Sequence, residues 1–256
     1  MITDPLFYLF AIPSVLLFGM AKGGLGGGVA MLSVPLISMV IPPLQAASIL
    51  LPVLLVMDVV AIGKFRGHFH WKSLQIMWPG ALFGVVLGAF TFRYLSEDAV
   101  RIVIGFISLV FALNYYIKLL IHRKALPPEQ DSPLKGGFWG AVGGFTSFGI
   151  HAGGPPINVY MLPLRLEKRL LMGTLALFFG AVNLVKVVPY LWLGQLNTTS
   201  FVTSLALMPI APLGVWLGFY LLHKVTENFI YQISYFFLIV VGIKLMFEGG
   251  SGLLAG

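Results

Sequence analysis

The chain has 256 residues, 58% of them hydrophobic and only 10% charged, against roughly a quarter charged in a soluble domain. So few charges cannot cover a water-facing surface, which excludes a soluble globular protein. The formal charge of +7 is spread through short loops rather than gathered on one face, which argues against nucleic acid as a partner. The lack of cysteine removes disulfides, thiolate metal sites and thiol nucleophiles.

Read in order, the chain gives five apolar elements, a polar linker and five more. The first run, Leu6 to Ala21, follows Asp4 without a basic n-region, so it reads as a retained membrane element rather than a cleaved signal. It ends at the break Lys22 to Gly28, where five of six residues around Leu25 are glycine. A short element from Val29 to Ile41 stops at Pro42-Pro43, and the runs Leu44–Gly63, Leu74–Leu95 and Ala99–Ile121 follow. The linker His122 to Lys135 carries Arg123, Lys124, Glu129, Asp131 and three prolines. The order then recurs: Gly136–Ile150, a break at His151 to Pro156, a short element ending near Leu164, and the runs Leu170–Leu193, Phe201–Leu222 and Phe229–Phe247.

The punctuation repeats as well. Gly26, Gly27, Gly28 and Pro35 fall opposite Gly154, Pro155, Pro156 and Pro163, and Pro79, Gly84 and Gly88 fall opposite Pro209, Gly214 and Gly218. Two membrane repeats, 1–121 and 136–256, joined by a cytoplasmic linker at 122–135, are the organisation this implies. Basic residues cluster at Lys64, Arg66 and Lys72, at Lys118, Arg123, Lys124 and Lys135, at Arg165, Lys168 and Arg169, and at Lys224. The remaining loops hold Arg93 and Arg101 beside Glu97 and Asp98. By the positive-inside rule the clusters are cytoplasmic and both termini lie outside. The short arms of each broken pair span about 15–25 Å at 1.5 Å per residue, so each pair reads as a re-entrant hairpin, although two full crossings give the same parity. A hairpin plus three spans is an odd number. The expected fold is therefore an all-α polytopic membrane protein of two inverted repeats, the plan of secondary transporters.

Irregular backbone at membrane depth needs protein or a water-filled cavity to satisfy it. The breaks are therefore the expected substrate site, with new helix starts offering unpaired amides and a positive dipole end to an anion. The candidate contacts are Lys22, Gly26, Gly27 and Gly28 at the first break and His151, Gly153, Gly154 and Asn158 at the second. Asn183 and Lys186 join them from a long apolar run, and Asp58 is the candidate for carrying a proton or pairing with a lysine. Close helix packing is the competing reading of the same glycines. A structural ion pair or a snorkelling lysine competes for Asp58 and Lys186, and a helix–helix hydrogen bond for Asn158. His68-Phe-His70 lacks a carboxylate partner by this reading and is not taken as a metal site, and Lys244 beside Glu248 is expected to snorkel. Gly23 to Gly28 lacks the Lys-Ser/Thr of a P-loop. No catalytic constellation, cofactor or metal is called for.

The stretches Lys22-Gly-Gly-Leu-Gly-Gly-Gly-Val-Ala-Met-Leu-Ser-Val-Pro-Leu and Phe145-Thr-Ser-Phe-Gly-Ile-His-Ala-Gly-Gly-Pro-Pro-Ile-Asn-Val-Tyr-Met-Leu-Pro resemble the duplicated signature of the sulfite exporter TauE/SafE family. The resemblance implies movement of sulfite, sulfonates or related anions across the cytoplasmic (inner) membrane of a bacterium. The expected function is export of a small sulfur-containing anion by alternating access. A proton-coupled uptake permease for a sulfonate or carboxylate and an anion channel stand as alternatives. Expected partners are the anionic substrate, membrane lipid and, in an oligomer, further copies of the chain.

Overall fold

The computed structural model describes residues 1–25, 27–121, 130–221 and 227–255, which are mostly helical with no strand among them. Helix α1 (Pro5–Met20) starts where the Asp4 carboxylate accepts from the Leu6 amide at 2.8 Å, with Pro5 in the first turn. It continues into a π turn, Ala21–Leu25, and then the short helices α2 (Gly27–Ala30) and α3 (Ser33–Ile37). Long helices α4 (Pro43–Lys64), α5 (Trp71–Tyr94) and α6 (Glu97–Ile121) complete the first half. The second half runs α7 (Pro133–Ile150), α8 (Gly154–Met161) with a 3-10 turn at Leu162–Leu164, α9 (Lys168–Trp192), α10 (Thr198–Leu207), α11 (Ile210–Leu221) and α12 (Glu227–Ala255).

Six helical segments among the described residues are long and apolar enough to cross a membrane, and α10 with α11 makes a seventh if the bent pair is one span. The protein is thus a multi-pass membrane protein. Large apolar side chains such as Phe83 and Phe90 on α5 and Leu213 and Trp216 on α11 point outward, as a lipid-facing surface requires. Helix α4 runs through the interior and packs on α9, while α5 packs on α7, α11 on α1 and α12 on α6. Missing side chains let these backbones touch. A Cβ at Gly84 would stand 2.0 Å from the Ala141 carbonyl oxygen, and one at Gly218 would stand 2.4 Å from that of Met20.

Four expectations about elements change. The short element after the first break is two helices, because Pro35 has no N–H to give the Met31 carbonyl and the chain turns at Met31–Leu32. The run Phe201–Leu222 is bent by 44°: Pro209 and Pro212, three residues apart, remove two successive supports, whereas α5 carries Pro79 alone and stays continuous. The linker ends early, since Pro133 to Lys135 already form the first turn of α7, capped by the Ser132 hydroxyl. The segment Pro5–Gly24 is 20 residues long, about 30 Å, a full hydrocarbon thickness, so arm length gives no support for a re-entrant first arm. Lys244 pairs with Glu248 at 3.4 Å, as does Arg101 from α6. Arg123, Lys124 and Lys224 lie outside the described residues.

Candidate functional site

At the first break, two glycines do separate jobs. A Cβ on Gly23 would stand 2.2 Å from the Val215 carbonyl oxygen, so its absence admits α11. Gly24 sits at φ 136, a conformation other residues rarely adopt, and turns the chain. Packing and turning therefore coexist here. The turn delivers Lys22 to Asp58 on α4, and the two form an ion pair. Asp58 is only 2% exposed, and its second oxygen accepts from Asn183 Nδ2 on α9 at 2.7 Å. Asp58 on α4 and Asn183 on α9 thus touch one another.

The second break is built differently. Helix α7 ends at His151, a non-glycine residue in left-handed backbone (φ 53), at a cost of about 1–2 kcal/mol. Its ring is fixed from both sides. Nε2 lies 2.8 Å from the Ala47 carbonyl oxygen on α4, which can only accept, so Nε2 carries the proton and Nδ1 is an acceptor. Nδ1 lies 2.6 Å from Lys186 Nζ, and the ammonium also donates to the Ser147 carbonyl at 2.9 Å and hydroxyl at 3.0 Å. One turn further along α9, the Tyr190 hydroxyl donates to the Phe148 carbonyl at 2.5 Å. The Ser147 carbonyl, which also accepts from the His151 amide at 3.1 Å, and the Phe148 carbonyl beside it are thus met by an ammonium and a hydroxyl from α9. A helix C-terminus favours a cation at that place.

Between the breaks lies a cavity of about 70 Å³. One water takes about 10–15 Å³ on this scale, so the space matches about five waters. Phe18, Ala21 and Lys22 line it from the first break, and Ser147, His151 and Gly154 from the second. Along α9 its wall runs from Asn183 back to Met172.

The structure therefore gathers Lys22, His151, Gly154 and Asn183 on the cavity and places Lys186 immediately behind His151 and Ser147. It does not gather all the candidates. Gly27 and Gly28 open α2, and Gly26 lies outside the described residues. Gly153 precedes α8, where a Cβ would press on Phe179 at 2.8 Å, a packing role. Asn158 does not line the cavity, and its carbonyl accepts from Leu162. Pro155 and Pro156 carry no N–H, so the start of α8 offers fewer amides than a helix terminus would, with Gly154 the one at the cavity wall. Ser147 was passed over in the sequence. The signal was there, a Thr-Ser pair one turn before a break in an apolar helix, but its value depends on Lys186 arriving from α9.

A second polar cluster sits at the basic-loop end. The Ser73 and Tyr160 hydroxyls each donate to Asp131 Oδ1 at 2.7 Å, and His70 Nδ1 lies 2.8 Å from Ser73 Oγ. His70 Nε2 is 4.0 Å from Asp131 Oδ2, so His70 does have a carboxylate neighbour, contrary to the sequence reading. Burial alone would raise the Asp131 carboxyl; the two hydroxyl donors, with His70 and Lys72 nearby, hold it below its ordinary value. Among the described residues no group of three or more His, Asp or Glu side chains could hold a metal.

The family model described as Sulfite exporter TauE/SafE matches residues 11–245. Neither a curated protein nor a solved structure matches the chain.

Proposed function

The chain belongs to the sulfite exporter TauE/SafE family, and on that premise we propose that it exports a small sulfur-containing monoanion across a bacterial cytoplasmic membrane, binding it in the cavity between the two breaks. One observation carries this reading. Of the two lysines at the site, Lys22 is neutralised by Asp58, whereas Lys186 is 0% exposed and its hydrogen-bond partners Ser147 and His151 are neutral. With Lys186 protonated the cluster carries one positive charge in excess, and a charge buried without a counter-ion is costly. An anion in the adjoining cavity relieves that cost. Space for about five waters suits sulfite or a short alkyl sulfonate, and an aryl sulfonate would need the site to open.

Export also fits the energetics. A negative interior drives a monoanion outward by about 2.3 kcal/mol per 100 mV, with no coupling ion required. Asp58 does not line the cavity and has both oxygens engaged, which favours uniport export over proton-coupled uptake. We read the scaffold as two repeats exchanged by a pseudo-two-fold. Its support is the pairing of elements: α5 on α7 mirrors α11 on α1, while α4 on α9 and α6 on α12 are self-paired. One bundle rocking against the other around the breaks would give alternating access.

The test is purified protein in liposomes under an imposed potential, with radiolabelled sulfite as the probe. Saturable, counterflow-competent sulfite movement is the expected result. Absence of any sulfite or sulfonate movement overturns the proposal, and single-channel currents would replace the carrier with a channel.

A further inference from the structure

We propose a second oxyanion-binding site, centred on Arg93, on the far side of a closed aromatic septum from the central cavity. It rests on the central-site reading for its place on a path, but not for its existence. Helix α9 serves as a ruler. The central cavity touches α9 from Met172 to Asn183, and a larger cavity of about 330 Å³ touches it at Trp192 and Leu193. Between them Lys186 and Tyr190 are buried. Lys186 and Trp192 are six residues apart, about 9 Å along the axis.

What fills that interval is aromatic. The His151 ring stacks on Tyr190 (centroids 6.4 Å apart), Tyr190 packs on Phe148 (5.0 Å), and Phe148 on Phe92 (5.9 Å). Phe92 is itself a wall of the larger cavity. The four rings run without interruption from the central site to the second cavity, and in this conformation they close the way between them.

Arg93 lines the second cavity. Its guanidinium carbon lies 4.3 Å from the Trp192 ring centroid, a stacking that uses the flat face and leaves the N–H edge free. Among the described residues Arg93 has no hydrogen bond and no ion pair. Glu97 lines the same cavity but makes no ion pair with Arg93. It stands in the first turn of α6, where the helix dipole favours its charge. An unpartnered guanidinium edge, exposed at the wall of a roomy cavity, matches two oxygens of one tetrahedral or pyramidal oxyanion. The adjacent carboxylate keeps binding weak, which suits a site of release. The same chemistry would hold the phosphate of a lipid headgroup, so the two sources must be separated.

The experiment is equilibrium binding of radiolabelled sulfite to the purified full-length protein in neutral detergent, for wild type, Arg93→Gln, Arg93→Lys and Lys186→Met. Two sulfites per chain are expected in wild type and one in Arg93→Gln. Arg93→Lys should keep two, with the weaker loosened about tenfold because the fork is lost. Two equivalents in Arg93→Gln overturn the second site. Loss of the Arg93-dependent equivalent on adding phosphatidylglycerol identifies a lipid phosphate as the occupant and overturns the release role. A Lys186→Met protein that still binds the equivalent that Arg93→Gln retains, while Arg93→Gln loses its own, would defeat the central-site reading and leave this one standing.

Discussion

Each break follows a long helix, α1 or α7, and precedes a short one, yet the two hold charge in opposite ways. The first carries its lysine on the break itself and neutralises it at once with Asp58, across 36 residues of sequence. The second carries a histidine and borrows its lysine from α9, where only a carbonyl, a hydroxyl and an imidazole nitrogen receive it. Glycine does the turning in the first, at Gly24; in the second a side chain bears the left-handed strain, at His151. A residue in a strained conformation persists only where its surroundings over-determine it, and here Ala47 and Lys186 do so. The first break holds an ion pair, and the second a buried lysine with no carboxylate among its described partners.

That contrast can be broken from either side. The largest effect should come from Asp58→Asn, which leaves Lys22 without its counter-ion and is expected to destabilise the protein by about 3–5 kcal/mol. Adding Lys22→Gln should recover most of the loss in thermal melts, and no recovery would mean that Asp58 stabilises through Asn183 instead. Lys186→Met should do the reverse. Stability should hold or rise, because a lone buried charge is replaced by an apolar chain of similar volume, while sulfite binding falls at least 100-fold, about 2.7 kcal/mol. Binding unchanged in Lys186→Met would erase the distinction between the breaks.

The smallest effect lies at the basic-loop end, where Asp131 joins α5 to the last turn of α8. Asp131→Asn should cost about 1–2 kcal/mol, and the pH dependence has a definite sign. The Asp131 carboxyl is held below its ordinary value of 3.8 in the folded protein. Its contribution is therefore complete above that value and disappears as pH falls through the lowered one. The melting difference between wild type and variant should be constant from neutral pH down to about 4 and close below it. A difference that instead grows on acidification would overturn the assignment to the Asp131 carboxylate.

Much of the scaffold was legible because it follows from local rules. Run length against bilayer thickness located the long helices, glycine and proline located both breaks with Lys22 on the first, and Lys186 stood out as a charge inside an apolar run. The exceptions follow from proline count and from neighbours. Pro79 is tolerated inside α5, while Pro209 with Pro212 bends the corresponding segment. Asn158 reads as a ligand contact because composition marks a break without saying which of its faces meets the cavity.

Composition alone makes this a membrane protein, its glycine-rich motifs carry the family resemblance, and its two breaks mark the region where Lys22, Asp58 and Lys186 come together. Burial of apolar length and the cost of irregular backbone in lipid act on neighbouring residues, so a one-dimensional pattern carries them. Only the tertiary structure decided which lysine is neutralised and which is not. That depends on α9 bringing Asn183 to Asp58 from 125 residues away and Lys186 to the end of α7. Electrostatic balance is a property of distances in space, and composition alone could list the charges but not pair them.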